Sequence, residues 1–116
     1  MNLREIVQSL NLDVRASESE LDRSVEGGYV SDLLSDVIAG AKEGDLWITL
    51  QLHQNIVAVA FLNNLAGIVI VGGREPDPDT LKKAEDQGVP IMVSPLPAYE
   101  IAGRLYAMGI RKPVDK

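Results

Sequence analysis

The chain has 116 residues, 46% hydrophobic and 24% charged, with a formal net charge of −6; this is one domain's worth of ordinary globular sequence, and it excludes a second independent core. The acidic balance, without a clustered basic face, excludes broad nucleic-acid binding. The absence of cysteine and the presence of a single histidine exclude disulfides, a thiolate nucleophile and cysteine or multi-histidine metal sites, and no cofactor is called for.

Leu3, Ile6, Val7 and Leu10 fall at helical spacing and predict a short amphipathic helix over 2–10 that stops at Asn11. Leu12-Asp13-Val14-Arg15 alternates as a strand, and the polar, acidic stretch 16–24 reads as a loop anchored by Leu21. Val25 to Val30 is a second strand, interrupted by Gly27-Gly28. Ser31 or Asp32 then caps a helix whose Leu33, Leu34, Val37, Ile38 and Ala41 face one side, and Gly44 closes it. Leu46 to Leu50 is a third strand, Gln54-Asn55 opens the helix Ile56 to Leu62, and Leu65 to Val71 is a fourth strand. Such uninterrupted apolar strands belong in the middle of a parallel sheet, where helices cover both faces. Asp77-Pro78-Asp79-Thr80 is a helix start, with Asp77 as cap and Pro78 in the first helical position, and Gly88 ends that helix. Val89 to Val93 is a fifth strand and Ser94-Pro95-Leu96-Pro97 a turn. Ala98 to Met108 is the last helix, stopping at Gly109 with Ile101 and Leu105 inward.

The order α-β-β-α-β-α-β-α-β-α predicts an α/β fold, a single layered domain over 1–116 with a mostly parallel central sheet flanked by helices. Its core spans about 25–110, with 1–24 as an N-terminal helix and loop and 111–116 as a frayed tail.

Charge is unevenly placed. Residues 1–45 carry 10 acids and 4 bases, residues 46–73 carry no charged side chain, and residues 74–116 carry 7 of each sign. Gln51, His53, Gln54, Asn55, Asn63 and Asn64 interrupt the charge-free block well short of a membrane span. The N-terminus has no basic region followed by an apolar run, so the expected location is the cytoplasm.

In open parallel sheets ligands bind beyond the carboxyl ends of the strands. That rim holds Ser31 and Asp32 after the second strand, Thr49, Gln51 and His53 after the third, Gly72, Gly73 and Arg74 after the fourth, and Ser94 after the fifth. Gly72-Gly73-Arg74 reads either as a cradle in which backbone N–H groups and a guanidinium meet an anion, or as a tight turn needing positive φ. His53 is the one side chain titrating near neutral pH, a candidate for acid–base chemistry, but a histidine just ahead of a helix more often bonds its own backbone. Asp32 and Asp36, four apart, read as a cap and a solvated acid more simply than as cation ligands, Ser94 as a turn residue and Trp47 as core. Neither a P-loop nor a Gly-x-Gly-x-x-Gly fingerprint is present. The helix 56–62 is apolar all the way round, which calls either for a second molecule, with Ile56, Val57, Val59, Ala60 and Phe61 at a homodimer interface, or for cover from a flanking segment such as 1–24.

The run Gly28-Tyr29-Val30-Ser31-Asp32-Leu33-Leu34-Ser35-Asp36-Val37, then Ile48-Thr49-Leu50-Gln51 with His53-Gln54-Asn55-Ile56-Val57-Ala58-Val59-Ala60, then Gly67-Ile68-Val69-Ile70-Val71-Gly72-Gly73, and finally Gly88-Val89-Pro90-Ile91 resembles a stand-alone DRTGG domain. That domain is similar to the N-terminal domain of HPr kinase/phosphorylase, and Gly72-Gly73 is the nearest remnant of the pentapeptide that names it. The resemblance implies a non-catalytic regulatory domain that homodimerises. With no catalytic constellation in the chain, the expected function is to sense a nucleotide or other small anionic ligand at the carboxyl ends of the strands, or to dock on a protein partner in trans. The alternative reading is a small enzyme using His53 with a rim serine or aspartate.

Overall fold

The computed structural model describes residues 1–112, so the end of the expected tail, 113–116, lies outside the described residues. Asn2 opens the first helix, α1 (Leu3–Leu10), through a reciprocal cap. Its Oδ1 accepts from the Glu5 N–H at 3.0 Å while Glu5 Oε1 accepts from the Asn2 N–H at 3.1 Å. Asn11, in the left-handed region at φ 53°, ends it. The chain continues as β1 (Asp13–Ala16), a 3-10 turn (Glu18–Glu20), β2 (Gly27–Val30), α2 (Leu34–Gly40), β3 (Asp45–Thr49), α3 (Asn55–Leu62), β4 (Gly67–Ile70), α4 (Pro78–Gln87), β5 (Ile91–Val93) and α5 (Ala98–Ala107), the predicted elements in the predicted order.

The sheet order is β1-β5-β4-β3-β2. β2 to β5 run parallel, and β1 joins β5 antiparallel with an irregularity between Val14 and Ala16. Each crossover from β2 to β5 steps to the next strand in the same direction, so connections of one hand place α2, α3 and α4 on one face. Trp47, Ile68, Ile70, Ile91 and Val93 point to that face and pack with Val37, Ile56, Val57, Ala60 and Ala84. Their neighbours Leu46, Ile48, Val69 and Met92 point the other way. The central strands read as continuous apolar runs because both of their faces are covered.

The second face is covered by the two ends of the chain. Leu3, Ile6 and Leu10 of α1 pack there with Ile101 and Leu105 of α5, and Leu12 and Leu21 are buried in the same cluster. Residues 1–24 are therefore part of the core and not an appendage to it. They do not cover the helix 56–62 either. That helix, α3, is the middle of the three-helix layer, with the sheet beneath it and α2 and α4 packed on either side. Ile56, Val57, Val59 and Ala60 are between 0% and 6% exposed, which leaves them no surface to offer a second molecule; Ala58, Phe61 (60%) and Leu62 (69%) stand open. Of the five residues expected at a homodimer interface, Phe61 alone keeps an exposed side chain.

The start of α2 also differs from expectation. Leu33 holds the cap position without a side-chain cap bond, and Val37 is the helix's one buried residue, while Leu33 and Ile38 are exposed. Its C-terminal end is closed by Asn63, whose side-chain amide donates to the carbonyls of Val37, Ile38 and Ala41 at 3.0–3.2 Å.

Candidate functional site

The carboxyl ends of β2 and β3 are locked together by Asp32. Its Oδ1 accepts from the Thr49 hydroxyl at 2.8 Å and from the Leu50 N–H at 2.7 Å, and its carbonyl accepts from Gln51 Nε2 at 2.8 Å. Asp32 thus tethers strands instead of capping α2, which explains the missing cap. Thr49 is buried (2% exposed) and also accepts from the Gln51 N–H at 3.2 Å. Ser31 is engaged as well: its hydroxyl accepts from the Leu33 N–H at 3.2 Å and its carbonyl from the Trp47 indole at 2.8 Å. Trp47 is fully buried, as expected of a core residue.

The ends of β4 and β5 form a second locked pair. Gly72 and Gly73, both at φ +74°, donate their N–H groups to the carbonyls of Leu96 at 2.8 Å and Ser94 at 3.0 Å. The Ser94 hydroxyl, buried at 2% exposure, accepts from the Leu96 N–H at 3.1 Å. The turn reading of the two glycines holds and the cradle reading does not, because the donors an anion needs are already occupied.

Between the locked pairs lies an open cleft of about 470 Å³ lined by Asp32, Leu50, Gln51, Leu52, His53, Arg74 and Asp77. Four of the nine rim residues, Asp32, Gln51, His53 and Arg74, converge here, and Thr49 supports Asp32 from beneath. Ser31, Gly72 and Gly73 do not line it, and Ser94 lies beside a separate cleft with Leu10, Asn11 and Arg104. His53 is exposed, and its Nδ1 accepts from the Asn55 N–H at 3.2 Å, which leaves Nε2 as the donor of the neutral ring. No hydrogen bond among the described residues joins His53 to Ser31, Asp32 or Ser94, so the base–nucleophile pairing that an enzyme built on His53 requires is not made.

Arg74 is exposed and makes neither an ion pair nor a hydrogen bond among the described residues. Its neighbour Glu75 is taken by Arg15 through two bonds of 2.9 and 3.0 Å. Those hydrogen bonds, and then the attraction of the guanidinium, hold the Glu75 carboxyl below its ordinary range. Asp77 sits at the cap position of α4, yet its side chain makes no cap bond and faces the cleft as a lining residue. The loop opposite is pinned by the buried Thr80 hydroxyl, which donates to the Leu52 carbonyl at 2.7 Å. Leu50, Leu52 and Asp77 were not foreseen as site residues; the rim rule reaches the first two, since they flank Gln51 directly after β3.

The sequence matches the model of the DRTGG domain over residues 5–108. A comparison with curated proteins gives no match. Among solved structures, the chain is similar to the CBS and DRTGG domains of the regulatory region of Clostridium perfringens pyrophosphatase, crystallised in complex with its activator, diadenosine tetraphosphate. The identity is 16% and the TM-score 0.67, over 94% of this chain and 47% of that one, so the present chain spans about half of that neighbour's length. The structural likeness is one of fold. The family match runs from the first helix to the end of the last, and the chain belongs to the DRTGG domain family.

Proposed function

We propose that this domain is a non-catalytic regulatory module that senses a small anionic ligand, a nucleotide being the best fit, in the cleft at the carboxyl rim of the sheet. The observation that carries this reading is the pairing, across one open cleft, of a fixed carboxylate with an unengaged guanidinium: Asp32, held by Thr49 and the Leu50 N–H, and Arg74. A ligand bearing both hydroxyl donors and an anionic group satisfies both sides. Ribose hydroxyls suit Asp32, a phosphate suits Arg74, and Leu50 and Leu52 give a base an apolar rest. The relative's regulatory region, which shares the fold, is complexed with a dinucleotide activator, and this supports the choice of ligand class.

The ligand's message passes to a homodimer mate or to a protein partner in trans. Phe61, the exposed member of the expected interface, and its exposed neighbour Leu62 make the homodimer contact at the end of α3. Sedimentation of wild type and Phe61→Glu tests this part, with a dimer expected for the first and a monomer for the second. A monomeric wild type overturns it.

The ligand is tested by a thermal-shift screen of mono- and dinucleotides. A ligand at a hundredfold its Kd stabilises the folded state by about 2.7 kcal/mol, a rise of about 10 °C or more for a domain of this size. Arg74→Ala is expected to abolish the rise without lowering the melting temperature of the free protein. A flat screen overturns the nucleotide reading.

A further inference from the structure

β2 is the last strand of the parallel sheet, and its outer backbone edge accepts no hydrogen bond from, and donates none to, any other segment among the described residues. Beside this edge runs an apolar groove of about 630 Å³ between β2 and α5, which reaches around the edge to Tyr29 and to Gly40 at the end of α2. Val30, Ile48, Ala102, Leu105 and Tyr106 line it, and Val30 and Tyr106 are 53% and 60% exposed. The rim cleft contributes nothing to it.

The two glycines of β2 differ in why they are there. A Cβ on Gly27 would stand 2.8 Å from Asp45 Oδ1 and 3.0 Å from Lys112 Cε, so the fold itself excludes a side chain. A Cβ on Gly28 would meet only the Leu46 carbonyl, at an ordinary 3.8 Å, and its φ is not positive. Nothing in the fold demands glycine there, and glycine inside a strand weakens it. Its effect is to keep the groove bare, as where another backbone or a ligand approaches closely.

The charge at the groove is opposite to that of the chain. Lys42, Arg111 and Lys112 line it against one acid, Asp45, in a protein of net charge −6. Asp45 is 4% exposed and already committed: Oδ2 accepts from the Lys42 N–H at 2.9 Å. Its Oδ1 accepts no well-aligned hydrogen bond and is neutralised by the Lys112 ammonium 2.8 Å away. The Arg111 guanidinium lies 4.6 Å from the centre of the Tyr106 ring, a flat cationic shelf at the groove's mouth.

We propose that this groove seats an extended segment of a partner protein, added as a further strand on the outer edge of β2. One large apolar side chain of that segment lies over Gly28, and acidic groups face Lys42 and Arg111. An edge strand beside a helix is the arrangement used for peptide recognition by strand addition, in which backbone bonds give affinity and alternate side chains give specificity. A second copy of this chain is the weaker occupant, because it would bring the same three cations to the groove, whereas an acidic segment neutralises them.

The test pans a phage-displayed library of random dodecapeptides on the full chain and measures the recovered peptides by fluorescence anisotropy. The expected result is peptides that alternate apolar and acidic residues, with binding weakened about tenfold or more by Gly28→Leu. Binding should also weaken with added salt and in Lys42→Glu. Gly28→Leu should melt within a few degrees of wild type; if it fails to fold, Val30→Glu, at an exposed site, gives the same readout. Recovery of no peptide, or binding indifferent to both variants, overturns the proposal. A wild-type dimer that Gly28→Leu converts to monomer also overturns it, by assigning the groove to a second copy.

Discussion

The Thr49 hydroxyl donates to Asp32 Oδ1 at 2.8 Å, joining the carboxyl ends of β2 and β3 along one side of the rim cleft. Thr49→Val keeps the shape of the side chain and removes that donor, together with the acceptor for the Gln51 N–H. Because Asp32 is exposed and water can replace part of the bond, the expected cost is about 1.5 kcal/mol, the low end for a hydrogen bond to a charged group. Urea denaturation measures it. Asp32→Asn keeps an acceptor for both donors and should cost less than Thr49→Val, while removing the negative charge from the cleft.

Gly73 and Gly103 make a matched pair, since a Cβ at either would meet nothing within 4 Å. Gly73 sits at φ +74°, so Gly73→Ala places a side chain in the left-handed region at a cost of about 1–2 kcal/mol. Gly103 lies inside α5, where Gly103→Ala should stabilise by about 0.5–1 kcal/mol. Opposite signs in thermal unfolding are the expected outcome. Equal signs would contradict the turn geometry assigned to Gly73.

Ile6 is fully buried, and its helix covers one face of the sheet. Ile6→Ala should therefore destabilise the whole domain by about 2–5 kcal/mol in a single cooperative transition. A loss below about 0.5 kcal/mol, the size of an ordinary surface change, would mean that residues 1–24 hang outside the core.

The Tyr29 hydroxyl donates to Asp36 Oδ2 at 3.0 Å, and this bond, then burial, raises its pKa above the ordinary 10.0. The neutral phenol is the form favoured by the fold. Its contribution to stability is complete below pH 10 and is lost as the pH rises through the higher folded value. In a spectrophotometric phenolate titration, Asp36→Asn should move one of the three tyrosines down toward the ordinary range. A titration unchanged by Asp36→Asn would show that the bond does not form in solution.

The fold was largely legible from the chain because the apolar runs Leu46 to Leu50 and Leu65 to Val71 are too continuous for strands with one wet face, and the helix signals between them fix short crossovers. Direction and neighbourhood were not legible. Nothing in Asp13–Ala16 announces an antiparallel edge, since alternation is the same in either direction. The apolar girth of α3 identified a helix with several covered sides, but only the three-dimensional arrangement shows those covers to be α2 and α4 instead of a second molecule. Local motif reading left two alternatives open at Gly72-Gly73 for a related reason: two glycines can announce a turn or free N–H groups, and the carbonyls of Ser94 and Leu96 that take those N–H groups lie on another strand's loop. His53 met its simpler expectation, a bond to the backbone two residues on.

Amide NMR during titration with ATP tests whether the rim cleft is the nucleotide site. The expected result is a set of saturable shifts confined to residues 32, 50–53 and 74–77, lost in Arg74→Ala. No shifts, or shifts clustered along β2 and α5 instead, would contradict it.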